Sequence, residues 1–101
     1  GKLVIGHITM SGLANALATN VWVDVQPEKG NRVVMQGFPG AIWSAQDYYL
    51  NSKGIILTET TIKQSRFNPD GTPLAGRCRR AMQYGNSIDD VVKALTDGNN
   101  G

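Results

Sequence analysis

Cys78 is the lone cysteine and His7 the lone histidine of this 101-residue chain, and that scarcity removes whole classes of chemistry. One cysteine cannot build an internal disulfide framework, and it assigns no redox compartment. With no His-x-x-x-His or Cys-x-x-Cys pair and no Ser/His/Asp order, neither a zinc site nor a complete nucleophilic triad can be assembled. A glycine-rich phosphate loop is also missing, and no cofactor is expected. Apolar runs stop at four or five residues, far short of the roughly 20 that span a bilayer, and no signal-peptide pattern opens the sequence. Membrane insertion is not expected. Net charge is only +2, and the ten Lys and Arg are scattered except for Arg77, Arg79 and Arg80. Those arginines lack the interleaved stacking aromatics of a nucleic-acid footprint, so nucleic acid is not an expected partner.

What is present, 41% hydrophobic and 18% charged residues, fits one globular α+β unit covering residues 1–101. A chain this short buries roughly 60–65% of its unfolded surface. An exposed sheet or helix flank is therefore expected, to be covered by further polypeptide of the same domain or by a second copy. Gly1-Lys2 reads as a hairpin tip and Asn99-Asn100-Gly101 as an interrupted turn, which predicts an internal segment of a longer protein.

Strands are expected between residues 3 and 63. Leu3 to Ile8 suits the first, with Leu3, Ile5 and His7 on one face. Ser11 suits the cap of a short helix through Leu13, Ala14 and Leu17, although Gly12 leaves a loop as the alternative. Val21–Val25 and Arg32–Gln36 flank Pro27-Glu28-Lys29-Gly30-Asn31, the chemistry of a hairpin turn. Ala41–Ser44, Asp47–Leu50 and Ile55–Ile62 extend the series to five or six strands, and residues 64–71 turn the chain over. A helix over about 73–84 is expected behind Thr72 as N-cap with Pro73 as its first residue, with the apolar stripe Leu74, Cys78, Ala81 and Met82, and stops at Gly85. A second, over about 88–97, starts behind Ser87 with an acidic first turn and ends at Gly98. The sum is an antiparallel sheet followed by two C-terminal helices.

Several residues stand out for chemistry. Gly54-Ile55-Ile56-Leu57 reads as a strand buried on both faces, yet it runs into Thr58-Glu59-Thr60-Thr61, and four polar side chains there need partners or a job. Glu59 is read first as an architectural carboxylate bonded to Thr60, Thr61 or loop amides, and second as a catalytic one. His7 is a structural histidine by default, and the only side chain that titrates near neutrality unaided. On an apolar helix stripe Cys78 behaves as a small hydrophobe; a nucleophile would need exposure and a base. The three arginines read as a solvated helix face. Trp22, Trp43, Tyr48 and Tyr49 are sheet aromatics, alternatively the lining of an acyl pocket. Amides of the Asn99 turn suit donation to an oxyanion.

Taken together, Gly6-His7-Ile8-Thr9, Gln36-Gly37-Phe38-Pro39-Gly40, Ser44 with Asp47-Tyr48-Tyr49, the Gly54–Thr61 block and Asn99-Asn100-Gly101 resemble the phospholipase B-like (lamina ancestor) group. That group belongs with the acyl-coenzyme A:6-aminopenicillanate acyltransferase-like N-terminal-nucleophile hydrolases. The resemblance covers nearly the whole chain and implies part of an αββα sandwich. It also implies a cysteine nucleophile, exposed by self-cleavage, on a strand before Gly1. That thiol would act on a small acylated substrate, an amide or ester, through a covalent acyl-enzyme. By position, His7 would orient the thiol or bind substrate, and Thr9 would follow it in the group's His-x-Thr pattern, with Met10 where an aromatic is usual. Asn99 would take an oxyanion role, while Glu59, Thr60 and Thr61 match a hallmark block. Phospholipase-type ester hydrolysis and a non-catalytic module on the same scaffold are the alternatives.

Overall fold

The expected hairpin forms where the turn chemistry places it. A computed structural model describes residues 1–62 and 66–101. In it β1 (Val21–Val25) pairs antiparallel with β2 (Val33–Gly37), with Val25 opposite Val33 and Val21 opposite Gly37. Gly30 sits at φ +93° in the connecting loop, where a Cβ would come within 2.4 Å of the Gln83 carbonyl, so this turn needs glycine for its backbone and for its fit. β3 (Tyr48–Asn51) and β4 (Ile56–Thr58) complete a four-stranded antiparallel meander in the order β1-β2-β3-β4.

Strand alternation assigns the two faces. Val33, Met35 and Tyr49 point one way and meet α2 (Leu74–Tyr84) and α3 (Ile88–Thr96) through Cys78, Ala81, Met82 and Val91. Val33, Met35 and Met82 are fully buried at this seam. Burying such side chains, at roughly 1.5–3 kcal/mol each, is the main force joining helices to sheet. The opposite face carries Trp22, Val34, Gln36, Tyr48 and Leu50 by the same alternation, and Trp22 there is 64% exposed. One sheet face is thus covered by helices and the other is open, the α+β layering expected from composition and pattern.

Helix ends follow local chemistry. The Ser87 hydroxyl accepts from Asp90 N–H at 3.1 Å while the Asp90 carboxylate accepts from Ser87 N–H at 3.1 Å, a full capping box. Gly98, at φ +61°, follows the last turn of α3. Asn51, 3% exposed, ties strand to helix: its amide donates to the carbonyls of Met82 and Gly85, and its Oδ1 accepts from Lys53 and Ile55 N–H.

Five expectations are corrected. Residues 3–8 are not a strand: the segment is irregular, and Leu3, Val4 and Ile8 are exposed. Among the described residues no strand pairs with it, and an unpaired strand leaves its backbone groups unsatisfied. Ala41–Ser44 is irregular and bent because the Ser44 hydroxyl donates to the Gln36 carbonyl and accepts from the N–H groups of Gln46 and Tyr48, a local network that competes with a ladder. β4 spans only Ile56–Thr58, short of the expected Ile55–Ile62, and is an edge strand with half-buried residues, so burial on both faces does not hold; residue 63 and the start of the following loop lie outside the described residues. Thr72 does not cap α2; it bridges Asn99, and Pro73 takes the cap position. Arg77 is not solvated. It is 4% exposed and donates to the carbonyls of Thr72 and Leu95 and to Asn100 Oδ1. Position 77 lies three residues after Leu74 and four before Ala81, on the apolar face, so helical spacing itself carries it inward.

The short helix α1 (Leu13–Ala18) does form, with Gly12 rather than Ser11 at its cap. Ser11 instead accepts a hydrogen bond from Asn15 Nδ2 at 2.7 Å.

Candidate functional site

β3 begins and β4 ends at the same edge of the sheet, so Asp47, just before β3, and Glu59, just after β4, become neighbours although twelve positions apart in sequence. Glu59 N–H donates to the Asp47 carbonyl at 3.3 Å. The N-terminal segment crosses this edge. His7 Nε2 donates to the Glu59 carbonyl at 2.6 Å, and the Thr9 hydroxyl donates to the Gln46 carbonyl at 2.9 Å. Because Nε2 must carry a proton to meet a carbonyl, the neutral ring presents Nδ1 as its acceptor, 3.3 Å from Thr9 Oγ1. Each such bond contributes about 1 kcal/mol. Two of them hold His7 and Thr9 against the sheet while the flanking apolar residues stay exposed.

Four of the residues singled out for catalysis or binding come together here. His7 and Thr9 share a shallow groove of about 370 Å³ with Trp22, Gln36, Gln46 and Tyr48 on the open sheet face. Trp22 lies opposite Gln36 in the ladder, and its ring meets that of Tyr48 edge-on at 5.8 Å. Edge-to-face packing turns the two aromatics into one wall of the groove. A second recess of about 320 Å³ lies against the other side of His7, between Thr9, Asp47, Glu59, Thr60 and Thr61. The ring is therefore reachable from two directions.

Trp43 is placed elsewhere. It packs edge-on against Phe38 at 5.9 Å and lines a cavity of about 490 Å³ between the sheet and the helices, together with Tyr49, Leu57 and Cys78. Asn99 lies apart from both grooves. Its backbone bridges Thr72, its Oδ1 accepts from Gly101 N–H at 2.9 Å, and it lines neither of the two recesses beside His7. The hallmark residues split as well: Glu59 is half-buried and accepts from the Thr61 hydroxyl at 3.0 Å, while Thr60 and Thr61 are exposed.

Electrostatics set Asp47 apart. Burial pushes its carboxyl above the usual range, the neighbouring Glu59 charge pushes the same way, and His7 acts in the opposite sense. It is also the one non-glycine residue in the left-handed region among the described residues, at φ +56°. Asp is one of the few side chains that visit this region, which marks position 47 as a turn residue but not as a neighbour of Glu59. Cys78 is buried, and burial raises its thiol, so it acts as a small hydrophobe, as its place on the stripe suggests. Burial likewise drives the Tyr49 hydroxyl up to about 12 while it accepts from Ser44 N–H at 2.8 Å. Within the described residues no cluster of His, Cys, Asp and Glu could hold a metal ion, and no helix is long and apolar enough to cross a membrane.

No family model matches the chain, and no solved structure matches it. Among curated proteins it is similar to "Putative phospholipase B-like 2" of Homo sapiens, with 39% identity over 41 residues. That stretch is 41% of this chain and 7% of the human protein, so the likeness is to a small part of a much longer polypeptide.

Proposed function

We propose that these residues form the sheet-and-helix half of an αββα N-terminal-nucleophile sandwich in an acyl hydrolase or acyltransferase of the phospholipase B-like group. The observation that carries this reading is the pairing of His7 with Thr9 at the sheet edge, beside the Trp22–Tyr48 wall, on the face that α2 and α3 leave open. The 41-residue likeness to the human protein supports the same group.

In the proposed reaction a thiol at a mature N-terminus, supplied from outside residues 1–101, attacks the carbonyl carbon of an amide or ester. The thiol proton passes to the α-amine, the tetrahedral intermediate expels the amine or alcohol with that proton, and an acyl-enzyme remains for water or an acceptor amine. His7 Nδ1 and the Thr9 hydroxyl would position the nucleophile or the substrate's polar atoms, and the aromatic wall would hold the acyl portion. Remaining polypeptide of the same domain, or a second copy of the chain, would cover the open face. The name of the human relative favours lipid esters as a second substrate class.

In the protein that carries these residues, mass spectrometry is expected to find cleavage immediately before an upstream cysteine. His7→Ala is expected to lower acyl transfer at least tenfold while costing only about 1 kcal/mol of stability, the scale of its one hydrogen bond to the backbone. Assaying acyl amides and phospholipids with one preparation separates the two substrate classes. Full activity from an uncleaved precursor, or unchanged turnover in His7→Ala, would overturn the proposal.

A further inference from the structure

The protons shared between His7, Thr9 and the sheet edge do not balance while the imidazole is neutral. Thr9 has one hydroxyl proton, and it goes to the Gln46 carbonyl at 2.9 Å. Thr9 Oγ1 therefore turns lone pairs toward His7 Nδ1, 3.3 Å away. With the Nε2 proton committed to the Glu59 carbonyl, a neutral ring sets one acceptor against another. A proton added at Nδ1 removes that mismatch. The imidazolium donates from Nε2 to Glu59 and from Nδ1 to Thr9, while Thr9 still donates to Gln46, so three bonds hold the segment in place of two. The Nε2 distance of 2.6 Å fits the same state, because bonds from charged donors are shorter than the usual N–H···O length of about 2.9 Å.

Charge around the ring acts in the same direction. Among the described residues, the titratable side chains lining the two recesses against His7 are Tyr48 of β3, Asp47 just before β3 and Glu59 just after β4. The Glu59 carboxylate accepts from the Thr61 hydroxyl. Burial and the Glu59 charge raise the Asp47 carboxyl, and the His7 charge opposes them, so by reciprocity an ionised Asp47 favours a charged ring. Little else fastens the segment: Leu3, Val4, Ile8 and Met10 are exposed, and side chains that stay in water contribute little to docking.

We propose that protonation of His7 locks residues 3–10 onto the sheet edge, a clasp that tightens as pH falls through the imidazole range of about 6.5 and loosens as pH rises through it. The sign follows from the bond count, since the docked state binds the proton better than the released one. The segment supplies Ile5, Gly6, His7 and Thr9 to the groove in front of Trp22 and Tyr48, so loosening the clasp opens that groove. This device needs neither a nucleophile nor turnover, so it and the acyl-transfer reading fail separately.

The test places a nitroxide label between the two anchors. Ile8→Cys in a Cys78→Ala background leaves one cysteine in the chain, at a position that is exposed. Electron paramagnetic resonance then reads the ratio of immobilised to mobile label. That ratio is expected to be about tenfold higher at about pH 5 than at about pH 8, the step from a neutral to a charge-assisted hydrogen bond. His7→Gln can keep a donor for the Glu59 carbonyl but takes up no proton, and its ratio should change less than about twofold over the same range. Thr9→Val removes the oxygen that meets Nδ1 and should lower the ratio at both pH values and shrink the response. Circular dichroism of each variant checks that sheet and helices are kept. An equal ratio at the two pH values, the same rise in His7→Gln, or a full response in Thr9→Val would overturn the proposal.

Discussion

Arg77→Met tests how the C-terminal layer is held together. The buried guanidinium donates to the carbonyl of Thr72 before α2, to the carbonyl of Leu95 in the last turn of α3 and to Asn100 in the terminal turn. It thereby satisfies one of the carbonyls that every helix leaves open at its C-terminus, and it joins three segments with one side chain. Methionine retains much of the apolar stem, so the loss falls on the hydrogen bonds. Asn100 is half-buried and can turn its amide to water, which leaves two backbone carbonyls without a charged donor. At about 1.5–3 kcal/mol for each bond to a charged group, less the desolvation cost that the cation no longer bears, the net loss is about 2–4 kcal/mol. Set against a typical total of about 5–15 kcal/mol, that is a large fraction. Urea denaturation followed by circular dichroism would read it as a lower midpoint with an unchanged slope, and Arg77→Lys should recover part of the loss because an ammonium can still reach one or two of the carbonyls. A change below about 0.5 kcal/mol, the scale of a surface substitution, would refute the buried-clamp reading and return Arg77 to a solvated helix face.

Two further outcomes follow from the same geometry. Asn51→Ala removes the two amide bonds donated to the end of α2 and the Oδ1 acceptor shared by two N–H groups of the β3–β4 turn, and should cost about 3–4 kcal/mol in the same urea experiment, since three buried backbone groups and one part-buried one lose a partner. For Asp47, a folded-state value raised above the ordinary one means that stability from this group is present at low pH and is lost as pH rises through the folded value. Asp47→Asn should therefore raise the melting temperature at pH 7 more than at pH 3; an equal or larger gain at pH 3 would contradict the sign.

The two helices, the Val21–Gly37 hairpin and the sheet-then-helix order were all legible in residue spacing, because each depends on neighbours at most sixteen positions away along the chain. The α3 capping box shows this most directly: Ser87 and Asp90 are three residues apart, and their reciprocal bonds need nothing else from the protein. Leu3–Ile8 shows the converse, since its composition suits a strand, but a strand exists only where another lies beside it.

The candidate sites divide in the same way. That His7, Trp22 and Tyr48 were worth watching could be read from residue type and pattern. Their meeting in one groove, the separation of Trp43 and Asn99 from it, and the approach of Asp47 to Glu59 depended on how the meander brings distant segments to one sheet edge. Local chemistry chose the elements, since dihedral preference, capping and alternation act over a few bonds. Contacts between segments tens of residues apart arose only when burial of Val33, Met35 and Met82 settled which faces had to meet.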